Sequence, residues 1–183
     1  MTPPFRTIDT GFPGLLLLQP RIFTDSRGVF VKSFHEGLFR ELGIEFIARE
    51  EFYSISAKNV LRGMHFQVPP AAHSKLVFCL QGRVLDVLLD MRRSSPRLGQ
   101  VFSCELEAVK REILFIPVGF AHGFLSLEDN SLMMYKTDVV HSPDHDKGIA
   151  WDSFGFNWRL SGPPIMSDRD RKFVRWPDFQ TPF

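Results

Sequence analysis

Short apolar runs, each closed by a glycine-, proline- or asparagine-bearing turn, recur along this chain, and that rhythm limits its fold more than any other feature. Gly14 to Gln19 and Val29 to Phe34 bracket the turn signal Asp25-Ser26-Arg27-Gly28. Lys75 to Leu80 and Arg83 to Met91 flank Gln81-Gly82, which reads as a tight hairpin. Phe124 to Leu127 and Leu132 to Thr137 flank Glu128-Asp129-Asn130-Ser131, which reads as a second hairpin. Val101 to Leu106 and Glu112 to Ile116 add further strands. Strands with turns at this spacing argue for an all-β sandwich or jelly roll. The 19 Phe agree, because phenylalanine favours pleated, half-buried surfaces. One short helix is expected: Ser33-Phe34-His35-Glu36 has the form of a capping box, and Leu38, Phe39 and Leu42 make an apolar stripe that stops at Gly43. Residues 161–183, with Pro163, Pro164, Pro177 and Pro182, read as an irregular tail.

At 183 residues the chain suits one domain, 1–183, and is short for two. Its 22 basic and 21 acidic residues leave a net charge of +1, so neither nucleic acid nor an anionic membrane is an expected partner. Cys79 and Cys104 lie in apolar runs without metal-type spacing and are expected to be buried free thiols. Met1-Thr2-Pro3-Pro4 lacks a basic region, and the longest aliphatic run, Leu15 to Leu18, ends at Gln19-Pro20, so a cytoplasmic location is expected.

Chemistry concentrates in Val60-Leu61-Arg62-Gly63-Met64-His65-Phe66-Gln67, followed by Lys75. A histidine between cations suits an enzyme that grips an anionic handle and removes a nearby proton, since imidazole titrates closest to neutrality. By itself the cluster reads more readily as a solvated strand edge, a histidine and two cations in a short span being commoner there than in an active site. Pro117-x-Gly119-x-x-His122, after the strand ending at Ile116, resembles the second cupin motif, which aims a histidine into the mouth of a small barrel. Many cupins bind a metal there, using a His-x-His that this chain lacks. His65, His73 and His122 remain as candidate ligands, whereas a metal site usually needs three or four well-placed donors. A metal-free pocket is the expectation.

Further motifs run in order along nearly the whole chain: Phe23-x-Asp25-x-Arg27-Gly28-x-Phe30, Leu61 to Gln67, Lys75-Leu76-Val77, Gly82-x-Val84-x-Asp86-Val87 and Asp90-x-Arg92-x-x-Ser95-Pro96. They continue with Ile116-Pro117-x-Gly119-Phe120-Ala121-His122-Gly123-Phe124, Tyr135-Lys136-Thr137, Gly148-Ile149-x-Trp151 and Ser167-x-x-Asp170. In these the chain resembles the dTDP-4-dehydrorhamnose 3,5-epimerase family of metal-free cupins. The resemblance implies a cupin-type double-stranded β-helix, a homodimer that exchanges N-terminal strands, no cofactor, and a nucleotide-linked 4-keto-6-deoxy sugar as substrate, in deoxysugar and surface-polysaccharide (lipopolysaccharide) biosynthesis.

A 4-keto group acidifies the hydrogens on C3 and C5, so epimerisation needs a base, a donor to the enolate oxygen and a proton source on the opposite face. The resemblance implies His65 as base, Asp170 as its carboxylate partner, Lys75 at the developing O4 charge and Tyr135 as the acid. It places Arg27 and Arg62 on the diphosphate, Phe30, Lys32, Glu50 and His141 around base and sugar, and His122 at the pocket floor. Read alone, Asp168-Arg169-Asp170-Arg171 is an exposed salt-laced loop and Tyr135 a core-edge aromatic. The chain departs from the family where Lys32 replaces a glutamate, Glu50-Glu51-Phe52 loses two amides, His141 replaces a tyrosine and His73 a glutamine. These departures put thymidine and double epimerisation in question while leaving the catalytic set intact. A 3,4-ketoisomerase, and less so a metal-dependent cupin oxygenase, are the alternatives.

Overall fold

The strand rhythm is realised as two antiparallel sheets packed face to face with a short ribbon outside them, in a computed structural model that describes residues 4–183. The amino-terminal Met1-Thr2-Pro3, on which part of the localisation reading rests, lies outside the described residues. One sheet has the order β1 (Phe5–Asp9), β2 (Leu16–Pro20), β10 (Ile113–Ile116), β7 (Lys75–Gln81), β12 (Ser131–Thr137), β5 (Glu50–Ser56). The other runs β13 (Asp146–Gly148), β6 (Leu61–Gln67), β11 (Phe120–Ser126), β8 (Arg83–Asp90), β9 (Val101–Glu107). The ribbon pairs β3 (Ile22–Asp25) with β4 (Gly28–Val31) and hydrogen-bonds to neither sheet. This is the jelly-roll architecture expected for the cupin class.

Both expected hairpins are corrected by the pairing. β7 and β8 meet at Gln81-Gly82 but belong to different sheets, and so do β11 and β12 on either side of Glu128 to Ser131. Each turn is a corner that carries the chain across the sandwich. Turn chemistry fixes that the chain reverses, but not whether the returning strand lies beside its predecessor or opposite it.

Three apolar clusters explain the aromatic content. Leu17, Val77, Leu88, Phe124 and Tyr135 belong to the layer between the sheets. The outer face of the five-stranded sheet is covered by the chain beyond residue 150, with Trp158, Trp176, Phe179 and Phe183 packing over Phe66, Leu85 and Leu89. The outer face of the six-stranded sheet is covered by α1 (Glu36–Glu41) and its flanks, where Phe34, Phe39 and Phe46 meet Phe5, Phe78 and Phe115. Covered on both faces, β8 is buried from Val84 to Asp90 and shows little two-residue alternation.

The helix begins two residues later than expected. His35, not Ser33, is its N-cap, and its Nδ1 accepts from the Leu38 N–H. Ile44 N–H reaches back to the Phe39 carbonyl around Gly43, whose φ of 76° suits a residue without a Cβ. The tail beyond residue 161 holds two 3-10 turns, Asp170–Lys172 and Trp176–Asp178, and its Ile165 bridges to Val60. Asp90, with no exposure, is gripped by Arg92 and Ser95, so that motif braces a turn away from the cavity. Cys79 is buried, whereas Cys104 is only half-buried; both are free. Among the described residues no helix is long and apolar enough to cross a membrane.

Candidate active site

His65 on β6 stands directly opposite His122 on β11, so the two imidazoles share one face of their sheet. Glycines permit this approach. A Cβ on Gly63 would sit 2.5 Å from the Gly123 Cα, and the Gly63 φ of 128° is one that L side chains rarely adopt. The pairing then slips between His122 and Phe124, a bulge that breaks the regular ladder beside the site. From the facing sheet come Tyr135 and Thr137 on β12 and Lys75 at the start of β7, with Thr137 paired to Lys75 and Tyr135 to Phe52. Together these side chains line a cavity of about 330 Å³, a size suited to a small polar ligand.

Both imidazoles have carboxylate partners. His65 Nε2 lies 3.0 Å from Asp170 Oδ1, and the other carboxylate oxygen accepts the Gly63 N–H at 3.1 Å. Burial favours the neutral Asp170 carboxyl, but the hydrogen bond and charge of His65, with the Gly63 N–H and Ser167, outweigh it and hold the pKa below the ordinary value. An ionised carboxylate only accepts, so Nε2 carries a proton, and in the neutral ring Nδ1 is the lone pair available to act as base. His122 makes a parallel pair, with Nε2 2.9 and 3.0 Å from the two oxygens of Asp86. Burial lowers the His122 pKa despite that carboxylate, so this imidazole is neutral.

Lys75 is 9% exposed, and its Nζ donates to the His65 carbonyl at 3.1 Å. Burial brings its pKa down to about 8, with Asp146 and Asp86 opposing the fall. Tyr135, 8% exposed, stacks on Phe52 with ring centroids 4.8 Å apart. Burial raises its phenol pKa well above the usual value. The Ser54 hydroxyl offsets part of that rise, yet it stands beside the phenol without closing a hydrogen bond of good geometry. Ser54 Oγ and Thr137 Oγ1 are buried in the cavity wall and, among the described residues, find no partner.

The mouth is polar. Arg62 donates to Ser56 Oγ at 3.0 Å, and the Glu50 carboxylate accepts the His141 N–H at 2.6 Å. Asp146 accepts from His141 at 3.1 Å and from Arg169 at 2.6 Å. Thus His65, Lys75, Tyr135, Arg62, His122, Glu50 and His141 line one cavity, and Asp170 buttresses it through His65. Arg27, Phe30 and Lys32 do not reach the cavity of their own chain. Arg27 and Phe30 ride on the β3–β4 ribbon, where Arg27 pairs with Asp25 and Phe30 is 63% exposed, and Lys32 directly follows β4. Among the described residues the ribbon makes no strand pairing with either sheet.

Asp86, Asp146 and Arg169 also belong to this cluster and received no role from sequence, while His73, weighed there only as a metal ligand and as a replacement for a glutamine, lines the same cavity. Asp86 had a signal, a carboxylate inside the apolar run from Arg83 to Met91. Asp170 also departs from its isolated reading, being 5% exposed and no salt-laced surface residue. The three histidines that could hold a metal line the same cavity but turn to separate partners, Asp170, Gln67 and Asp86. Among the described residues no three His, Cys, Asp or Glu side chains are grouped to hold a metal ion.

Comparison with known proteins agrees with this geometry. A family model described as dTDP-4-dehydrorhamnose 3,5-epimerase matches residues 9–178. The chain is 40% identical over 175 residues to the dTDP-4-dehydrorhamnose 3,5-epimerase of Shigella flexneri, covering 91% of this chain and 95% of that protein. An epimerase structure from Legionella pneumophila Philadelphia 1, in complex with dTDP-4-keto-L-rhamnose, superposes with a TM-score of 0.92 at 31% identity, over 96% of this chain and 95% of that one. The Bacillus anthracis dTDP-4-dehydrorhamnose 3,5-epimerase, with TDP and PPi bound, superposes with a TM-score of 0.90 at 37% identity, over 93% and 99% of the two chains. Sequence, fold and cavity all lead to one assignment: the chain belongs to the dTDP-4-dehydrorhamnose 3,5-epimerase family.

Proposed function

We propose that this protein inverts C3, C5 or both in a nucleoside-diphosphate-linked 4-keto-6-deoxy sugar by proton removal and return through an enolate. The observation that carries the reading is the His65–Asp170 pair at 3.0 Å, set in one cavity with Lys75 and Tyr135. Nδ1 of His65 takes the proton from the carbon beside the carbonyl, and the C–H electron pair moves into the bond to C4 while O4 becomes anionic. Asp170 stabilises the imidazolium so formed. The Lys75 ammonium meets the charge on O4. Tyr135, protonated at neutral pH, returns a proton from the opposite face and is recharged from solvent. The unpartnered Ser54 and Thr137 hydroxyls match a polyhydroxylated ligand. Arg62, His65 and Arg169 also border a second, more open hollow of about 570 Å³, which gives a diphosphate and base room beyond the sugar.

We further infer a homodimer in which the ribbon of one chain reaches the cavity of the other and brings Arg27, Phe30 and Lys32 to the nucleotide. Ile22, Phe23, Val29 and Phe30 on the ribbon, with Phe52, Tyr53 and Ile55 on the edge strand β5, are exposed apolar surface that a second copy would cover. Lys32 has donors only, so it cannot accept from the N3–H of thymine as a carboxylate would, and discrimination for thymidine is expected to be weak.

The test is solvent-deuterium incorporation at C3 and C5 of a dTDP-4-keto-6-deoxy sugar, followed by proton NMR, with His65→Asn beside the wild type. Loss of a general base typically costs on the order of a hundred- to ten-thousand-fold, so exchange should collapse in the variant while nucleotide binding persists. A product with the carbonyl at C3 would replace epimerase by ketoisomerase. Undiminished exchange in His65→Asn would refute the assignment of the base.

A further inference from the structure

His73 lines the cavity from the loop between β6 and β7, two residues before Lys75. Its Nδ1 lies 2.9 Å from Gln67 Nε2. Gln67 is buried, and its amide can face only one way: Oε1 accepts the Ser142 N–H, while Nε2 donates to the Ala71 carbonyl at 2.9 Å. The nitrogen end of the amide therefore points at His73. An amide nitrogen is a donor with no lone pair to offer. With one hydrogen on Ala71 and the Val140 carbonyl farther off at 3.4 Å, the second hydrogen is directed to His73 Nδ1 at 2.9 Å, which accepts, and the proton of a neutral ring sits on Nε2. Protonating Nδ1 would set two N–H groups against each other and break the link that ties Ala71 to the chain at Ser142. Burial first, and the Lys75 charge second, bring the His73 pKa down to about 3, so the ring stays neutral at physiological pH. Among the described residues Nε2 finds no hydrogen-bond partner.

We propose that His73 is a fixed donor that reads the 3-hydroxyl of the sugar and disfavours an ammonium group at that carbon. The proposal rests on the epimerase reading, in which Lys75 marks the position of O4. Beside O4, the 3-hydroxyl is the neighbouring exocyclic acceptor, because C5 carries a methyl group. An Nε2–H can satisfy a hydroxyl or keto oxygen but not an ammonium, which has donors only. The two carboxylates that line the cavity already hold hydrogen-bond donors. Asp146 is engaged by His141 and Arg169, Glu50 by the His141 N–H, and the Lys75 charge repels a second cation. A glutamine at this position would both donate and accept and would lack that selectivity.

The experiment compares 3-hydroxy, 3-amino and 3-deoxy versions of the nucleotide-linked 4-keto sugar in wild type, His73→Gln and His73→Leu, with KM and kcat from solvent-deuterium exchange at C5. Wild type should favour 3-hydroxy over 3-amino by about tenfold or more, the scale on which a polar site rejects a mismatched group. His73→Gln should narrow that ratio with the 3-hydroxy KM held within about threefold. His73→Leu should raise the 3-hydroxy KM about tenfold and leave the 3-deoxy KM unchanged. Equal rises for 3-hydroxy and 3-deoxy substrates would make His73 a purely structural residue. Absence of wild-type preference against 3-amino would also overturn the proposal. Failure of wild type to exchange any of the three would instead defeat the epimerase reading, and the role of His73 with it.

Discussion

Lys75 offers a test in which activity and stability move in opposite directions with pH. Its ammonium sits in the cavity wall with its Nζ on the His65 carbonyl, and burial has brought its pKa from 10.5 to about 8. At 1.36 kcal/mol per unit, keeping that charge inside costs the fold about 3 kcal/mol. The cost is fully present below pH 8 and fades as the pH rises from 8 toward 10.5, because there the native lysine has shed a proton that the unfolded one retains. The Lys75 contribution to stability therefore rises by about 1 kcal/mol between pH 7 and pH 9. Catalysis goes the other way: without the ammonium the O4 anion loses its partner, so kcat/KM should fall with an apparent pKa near 8, about tenfold per pH unit beyond it. Lys75→Arg stays charged and should flatten this limb at a lower plateau, because the fork cannot copy the point charge. Lys75→Met should lose on the order of a hundred- to a thousandfold in kcat and the associated rise in stability. The measurements are pH–rate profiles and urea unfolding at pH 7 and 9 for the three proteins. An alkaline limb above pH 10 in wild type, or one at pH 8 that persists in Lys75→Arg, would refute the reasoning.

Asp170→Asn keeps an acceptor near Gly63 but removes the charge that stabilises imidazolium, so kcat should drop by about a thousandfold or more with KM little changed, as read from steady-state kinetics. Tyr135→Phe removes only the far-face acid; deuterium should still enter the substrate after net inversion has stopped, and parallel loss of both would move Tyr135 to a binding role. Gly63→Ala forces a Cβ to 2.5 Å from the Gly123 backbone at a φ of 128°, a clash no rotamer relieves. It should cost more than about 3 kcal/mol in chemical denaturation, with exchange activity lost alongside.

Local chemistry in the sequence determined the all-β class, the positions of the turns, the helix stripe from Leu38 to Leu42 and the residues of the reactive cluster, because strand length, turn residues and motif spacing are properties of neighbouring positions. Pairing between distant segments was another matter. Gln81-Gly82 announces a reversal in either topology, and only the packed sandwich makes it a corner between sheets. Asp170 reads as surface until the tail folds back and its carboxylate meets the Gly63 N–H and His65, more than a hundred residues away in sequence. β8 hides its period of two because a third layer of tail aromatics covers its outer face. The Ser33 box and the His35 cap compete within two residues, and the observed helix start takes the imidazole. The protonation site of His73 depends on an amide whose direction is set by Ala71 and Ser142, from two separate loops. Composition and spacing select which groups a chain carries; the direction in which a donor or acceptor points is settled only when burial forces each polar atom to find its partner.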